Sequence, residues 1–144
     1  METPAASKKG KKIGLLVGLL VFAIAYYGTR QLFKTDVAAE LKEAALELNR
    51  MAPMQVDAYS RLDSATSIGK TNFVYHYTML GVDKGQVNLD TLNTYLRPNI
   101  IQTLKTSPEL QSFREHRIRM DYRYYDQNGS FVTEISIAPE QYTP

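Results

Sequence analysis

Four lysines, Lys8, Lys9, Lys11 and Lys12, stand directly before Ile13 to Thr29, 17 residues in a row without a charge. No other stretch restricts the chain as much. A helix of that length rises roughly 25 Å, the low end for crossing a hydrocarbon core of about 30 Å. Leu32 and Phe33 extend the apolar stretch, Arg30 can snorkel to the interface, and Tyr26 and Tyr27 sit where an aromatic belt forms. The positive-inside rule keeps the lysines cytoplasmic and sends the rest of the chain outward.

Two fates suit such a segment. Ala23-Ile24-Ala25 has the small-x-small pattern of a signal-peptide cleavage site. Tyr26 and Tyr27 follow it at once and the apolar stretch continues, which favours an uncleaved anchor over a cut after Ala25. The expected organisation is a basic cytoplasmic tail (residues 1–12), a transmembrane helix (13–33) and a periplasmic domain (34–144) of a single-pass protein in a bacterial inner membrane. Gly14 and Gly18 form G-x-x-x-G, a spacing that lets two membrane helices approach closely. It offers a face for helix packing or a homodimer, although glycine is common enough in such helices for chance to supply it.

Residues 31–144 carry 12 Lys and Arg against 14 Asp and Glu, a net of −2. The basic excess therefore sits on the tail and not on the domain, which argues against nucleic acid. There is no cysteine, which removes disulfides, thiolate metal sites and cysteine nucleophiles.

Helical spacing of Val37, Leu41, Ala44, Ala45, Leu48 and Met51 predicts an amphipathic helix over 36–51, capped by Asp36 and ended by Pro53. Met54 to Ser64 alternates as one half-buried strand. Ser64 to Thr71 reads as a turn, and Asn72 to Leu80 as the returning strand. Leu89, Leu92, Leu96, Ile100 and Leu104 predict a second helix, which Pro98 should kink or divide. Ser107-Pro108 signals a fresh helix start. From Arg117 to Ile137 two alternating runs flank Asn128-Gly129, the preferred pair for a tight type I′ hairpin turn. The expected fold class is therefore α+β, with a single N-terminal transmembrane helix followed by helices packed on a four-stranded antiparallel sheet made of two hairpins.

Catalytic constellations are sparse. His76 and His116 lie far apart with no ligand spacing, and no nucleophile elbow, P-loop or dinucleotide fingerprint is present. No metal, no cofactor and no enzymatic activity are expected. The weakest enzyme reading would need His76, Asp57 and Arg119 to converge in one pocket. Arg119 and Arg123 alternate on one strand face, and Glu134 can lie across the hairpin from them, so a charged solvent face competes with a docking patch. Tyr59 and Tyr125 fall with polar residues, where tyrosine supplies large contact area at low entropic cost. Tyr59, Arg61, Arg119, Arg123 and Tyr125 are the candidate partner-binding residues.

The stretches LNRMAPMQVDAYSRLDS, FVYHYT, SPELQSF and YRYYDQNGSFVTEISI resemble those of a group of small exported bacterial proteins of unassigned function. Such proteins have an N-terminal signal or anchor and a compact α+β domain. The similarity spans roughly residues 46–138. It implies no catalytic residues, and the cysteines that members carry before the PEL turn and near the C-terminus are replaced here. The order of elements also looks like cystatin or NTF2-like domains. The functional expectation is a protein–protein contact module, an accessory or assembly subunit of a membrane complex, with an integral membrane protein and the lipid bilayer as partners. The alternative is a periplasmic binding or inhibitor module of the immunity type.

Overall fold

The computed structural model describes residues 36–144. Helix α1 (Val37–Met51) begins where Asp36 accepts a hydrogen bond from the Ala39 amide at 3.2 Å, and Arg50 occupies its last turn. Both complement the helix dipole. Its apolar stripe, Leu41, Ala44, Ala45 and Leu48, is buried and faces strand β2 (Ser60–Ile68). Alanine at the contact lets helix and sheet approach closely.

The expected single strand over 54–64 is two strands. β1 is only Met54–Gln55, and residues 57–59 turn the chain back before β2 begins. Asp57 makes that turn by accepting from the Tyr59 amide at 2.7 Å, a local side-chain bond that competes with a straight strand. β2 then runs on through the residues expected to be the turn, which is confined to residues 69–71 around Gly69 at φ +55°. β3 (Asn72–Met79) returns antiparallel to it.

Helix α2 (Leu89–Thr106) is capped by Asn88, which accepts from the Thr91 amide at 3.0 Å. Pro98 does not divide it. The proline is exposed while Leu96, Ile100 and Leu104 face the core. Pro108 opens a 3-10 turn that leads into the short helix α3 (Gln111–Glu115). β4 (Arg119–Tyr125) and β5 (Phe131–Ile137) form the C-terminal hairpin. Its connection is not the expected two-residue turn. It spans residues 126–130, with Gly129 at φ +82°. Asp126 cinches it by accepting from the amides of Asn128 and Ser130, each at 2.9 Å, and also from Lys84 at 2.9 Å in the loop before α2.

The sheet has five strands in the order β1-β2-β3-β4-β5, and β3 pairs with β4 in parallel. The expected four-stranded antiparallel sheet is thus corrected to a mixed one. The reason is the crossover: residues 80–118 carry α2 and α3, enough chain to bring β4 back beside β3 in the same direction. In that parallel register Tyr75 faces Tyr122 and Tyr77 faces Tyr124.

One face of the sheet and the helices enclose the core. Phe73, Tyr75, Tyr77, Met120 and Ile137 are fully buried. The Tyr75–Tyr122 and Tyr77–Tyr124 rings lie nearly parallel, with centroids 5.1 and 5.4 Å apart, and Phe73 meets Phe113 of α3 edge-on at 5.7 Å. A C-terminal 3-10 turn (Pro139–Gln141) then inserts Tyr142, whose hydroxyl donates to the carbonyls of Ile118 and, at 3.3 Å, Phe113.

Among the described residues no helix is long and apolar enough to cross a membrane. The expected span at 13–33, and Gly14 and Gly18 within it, lie outside the described residues. The expected homodimer through that helix therefore has no support.

Candidate functional site

The helices cover one face of the sheet, and the opposite face collects polar and aromatic side chains from four strands. Alternation aims them there. Next to the buried set Phe73, Tyr75 and Tyr77 on β3, His76 and Thr78 point the other way, as do Arg119, Asp121, Arg123 and Tyr125 on β4.

Four of the five expected partner-binding residues meet on this face: Arg61, Arg119, Arg123 and Tyr125. Tyr59 lies in the turn before β2 with 53 % of its surface exposed. Two of the arginines are tied down. Arg61 Nε bonds the Asp63 carboxylate at 2.6 Å and its Nη2 reaches the Thr78 hydroxyl at 3.3 Å, while Thr78 donates to Asp63 at 2.5 Å. Arg119 Nε bonds Asp121 at 3.0 Å, and its guanidinium also reaches the Ser136 hydroxyl at 2.7 Å. Asp121 is almost fully buried. It accepts in addition from Ser136 and, at 3.2 Å, from Asn72. These pairs neutralise both ends of the face.

Arg123 is different. Its guanidinium carbon lies 4.8 Å from the ring centre of Phe131 and 6.0 Å from that of Tyr125, within the range of cation–π attraction. Glu134, its register partner on β5, stands 3.6 Å from Nε, close enough for an ion pair but beyond hydrogen-bond reach. Its covered Nε has no hydrogen-bond partner among the described residues.

His76 completes the centre of the face. Its Nε2 is 2.7 Å from the Thr66 hydroxyl, its Nδ1 is 3.5 Å from the Tyr125 hydroxyl, and its ring lies nearly parallel to that of Tyr125 at 6.1 Å. Partial burial, and then the positive charge of Arg123, hold its pKa below the ordinary imidazole value, with Asp63 and Glu134 opposing. Its neighbours Thr66, Tyr125 and Glu134 come from three strands, which no single window of sequence brings together.

Phe131 was missed for another reason. The register shift between Tyr124 and Tyr125 pairs Phe131 with Tyr125. It therefore sits against Tyr125 on this face, ring centres 5.9 Å apart and 40 % exposed, instead of continuing the buried row of Ile135 and Ile137.

His76, Asp57 and Arg119 do not converge. Asp57 is engaged with the Tyr59 amide, His76 with Thr66, and Arg119 with Asp121. No group of three or more His, Cys, Asp or Glu among the described residues is placed to hold a metal ion.

Three solved structures share the fold. A protein from Pseudomonas aeruginosa described as secreted superposes with a TM-score of 0.62 at 10 % identity, over 76 % of this chain and 96 % of its own. The type II secretion system pilotin AspS from Vibrio cholerae gives 0.54 at 10 % identity, over 73 % and 91 %. The type 2 secretion system pilotin EpsS from Vibrio vulnificus gives 0.55 at 9 % identity, over 75 % and 93 %. None of the three is described as a cystatin or NTF2-like domain. Nor is any described as a single-pass inner-membrane protein, and with no membrane-crossing helix among the described residues the expected inner-membrane placement is set aside. No curated protein matches the chain in sequence. A family model does, over residues 34–132, and the chain belongs to that family, the domain of unknown function DUF8479.

Proposed function

We propose that this domain is a protein-docking module that serves the assembly of a bacterial secretion apparatus, as a pilotin-like accessory protein. The observation that carries the reading is the shared fold: more than nine-tenths of each of two secretion-system pilotins superposes on it. The open sheet face supplies the grip. A cation held over two aromatic rings, ringed by self-neutralised ion pairs, has the composition of an interface centre, where arginine and aromatic residues concentrate.

The test is a cross-linked pull-down with the full-length chain from its native cells, beside the double variant R123A/F131A. Stoichiometric recovery of secretion-system components, reduced at least tenfold by the double variant, would support the reading. Recovery of none, with the bait intact, would overturn the pilotin-like role. Full recovery by the variant would move the docking surface off this face.

A further inference from the structure

On the helix-covered side of the sheet, three hydroxyls stand out. The side-chain oxygens of Tyr75, Tyr77 and Tyr124 are fully covered and have no hydrogen-bond partner among the described residues. Tyr75 and Tyr77 lie two apart on one face of β3, ring centres 6.4 Å apart, and Tyr124 is the parallel register partner of Tyr77. Buried hydroxyls in native proteins find a partner, protein or water, in the great majority of cases. Tyr142, in the same core, shows what a satisfied one looks like, with two backbone carbonyls as acceptors.

We infer that the hydroxyls of Tyr77 and Tyr124, with Tyr75 beside them, form an internal binding site for an ordered water molecule between the sheet and its helices. The spacing fits. The Tyr77 and Tyr124 rings are inclined by only 18° with centroids 5.4 Å apart, and both leave the same face from paired positions. We take the two side chains to extend alongside each other from these paired positions, which sets their hydroxyls about as far apart as the rings. Two O–H···O bonds of roughly 2.7 Å placed end to end through one water span that gap. A third hydroxyl brings the number of partners to the roughly three that a buried water uses.

The chemistry favours a neutral ligand. Burial pushes all three phenols above their ordinary value, so each remains a hydroxyl that can donate and accept. A bare anion or cation would lose its hydration without an opposite charge to replace it. The site lies on the other side of the sheet from the proposed docking face and does not depend on it.

The experiment combines Tyr77→Phe, Tyr124→Phe and the double variant in the full-length protein. Water-relaxation dispersion would count long-lived internal waters, and urea unfolding would read stability. With a bridging water, the double variant holds one fewer long-lived water. Each single variant unfolds at lower urea than the parent, and the double unfolds at no lower urea than the sum of the two single shifts, because both remove the same bridge. The inference is overturned if the count of internal waters is unchanged, or if each Phe variant unfolds at the same or higher urea, as removal of an unpaired hydroxyl from an apolar core would give.

Discussion

The side-chain amide of Asn49 and the backbone of Ala65 form a reciprocal pair. The Asn49 nitrogen donates to the Ala65 carbonyl at 2.9 Å, and its oxygen accepts from the Ala65 amide at 2.7 Å. β1 pairs only with Arg61 and Leu62 of β2, so beyond them β2 is an edge strand. Asn49 thus stands in for a neighbouring strand, joining α1 to the sheet and blunting an edge that would otherwise recruit other chains.

Asn49→Ala leaves a part-buried donor and acceptor unpaired and should cost about 1–3 kcal/mol. Urea unfolding measures the loss, and amide exchange at Ala65 should accelerate more than at residues paired with β3. Asn49→Asp keeps the acceptor alone and should fall between parent and Ala.

Tyr142 closes the base of the core. Tyr142→Ala should cost about 3–5 kcal/mol, the usual range for removing a buried aromatic ring, and Tyr142→Phe about 1 kcal/mol for its hydrogen bonds. A chain shortened before residue 139 should resemble the alanine variant in denaturant midpoint.

Alkaline titration should separate the tyrosines. Burial pushes Tyr142 up to about 12 and raises Tyr75, Tyr77 and Tyr122 well above the ordinary phenol value. The unfolded chain ionises these groups near pH 10, so their contribution to stability is complete below that and is lost as pH rises toward the folded values. Phenolate absorbance should therefore appear in two phases, exposed residues first and the buried set in a cooperative step that coincides with unfolding. A single smooth titration near pH 10 without unfolding would contradict the buried ladder.

His76 should make stability fall on the acid side of neutrality. Its folded pKa lies below the usual value of about 6.5, so the unfolded chain binds the proton first. Stability attributable to His76 is present above pH 6.5 and declines as pH drops toward the folded pKa. The surrounding groups are Arg123, Asp63, Glu134, Tyr125 and Thr66. His76→Gln should flatten the slope of unfolding free energy between pH 7 and 5, and a two-dimensional spectrum of the imidazole should titrate below 6.5 in the folded parent.

Much of the local structure was legible because its causes are local. α1 shows its buried stripe in the spacing of Leu41, Ala44, Ala45 and Leu48, and its start in Asp36. The C-terminal hairpin shows in the alternation of Met120, Tyr122 and Tyr124 against Arg119, Asp121 and Arg123, which also assigned the tyrosine row to one face and the arginines to the other. These patterns follow from helix and strand periods that any window of sequence carries.

Tertiary structure decided the rest. Whether β4 lies antiparallel or parallel to a neighbour depends on how α2 and α3 pack across the sheet, and no residue in β3 or β4 encodes that. The register shifts after Leu62 and after Tyr124 change which residues share a face. A one-residue slip inverts a strand's pattern, and the second of these shifts put Phe131 beside Tyr125. The neighbours of His76 are separated from it by 10 and 49 positions, so its role became visible only once three strands were in register. The sequence alone determined the elements and their inward faces, through short-range sterics and hydrophobic period. The pairing of elements decided the site, because contacts between distant residues are set by packing of the whole sheet.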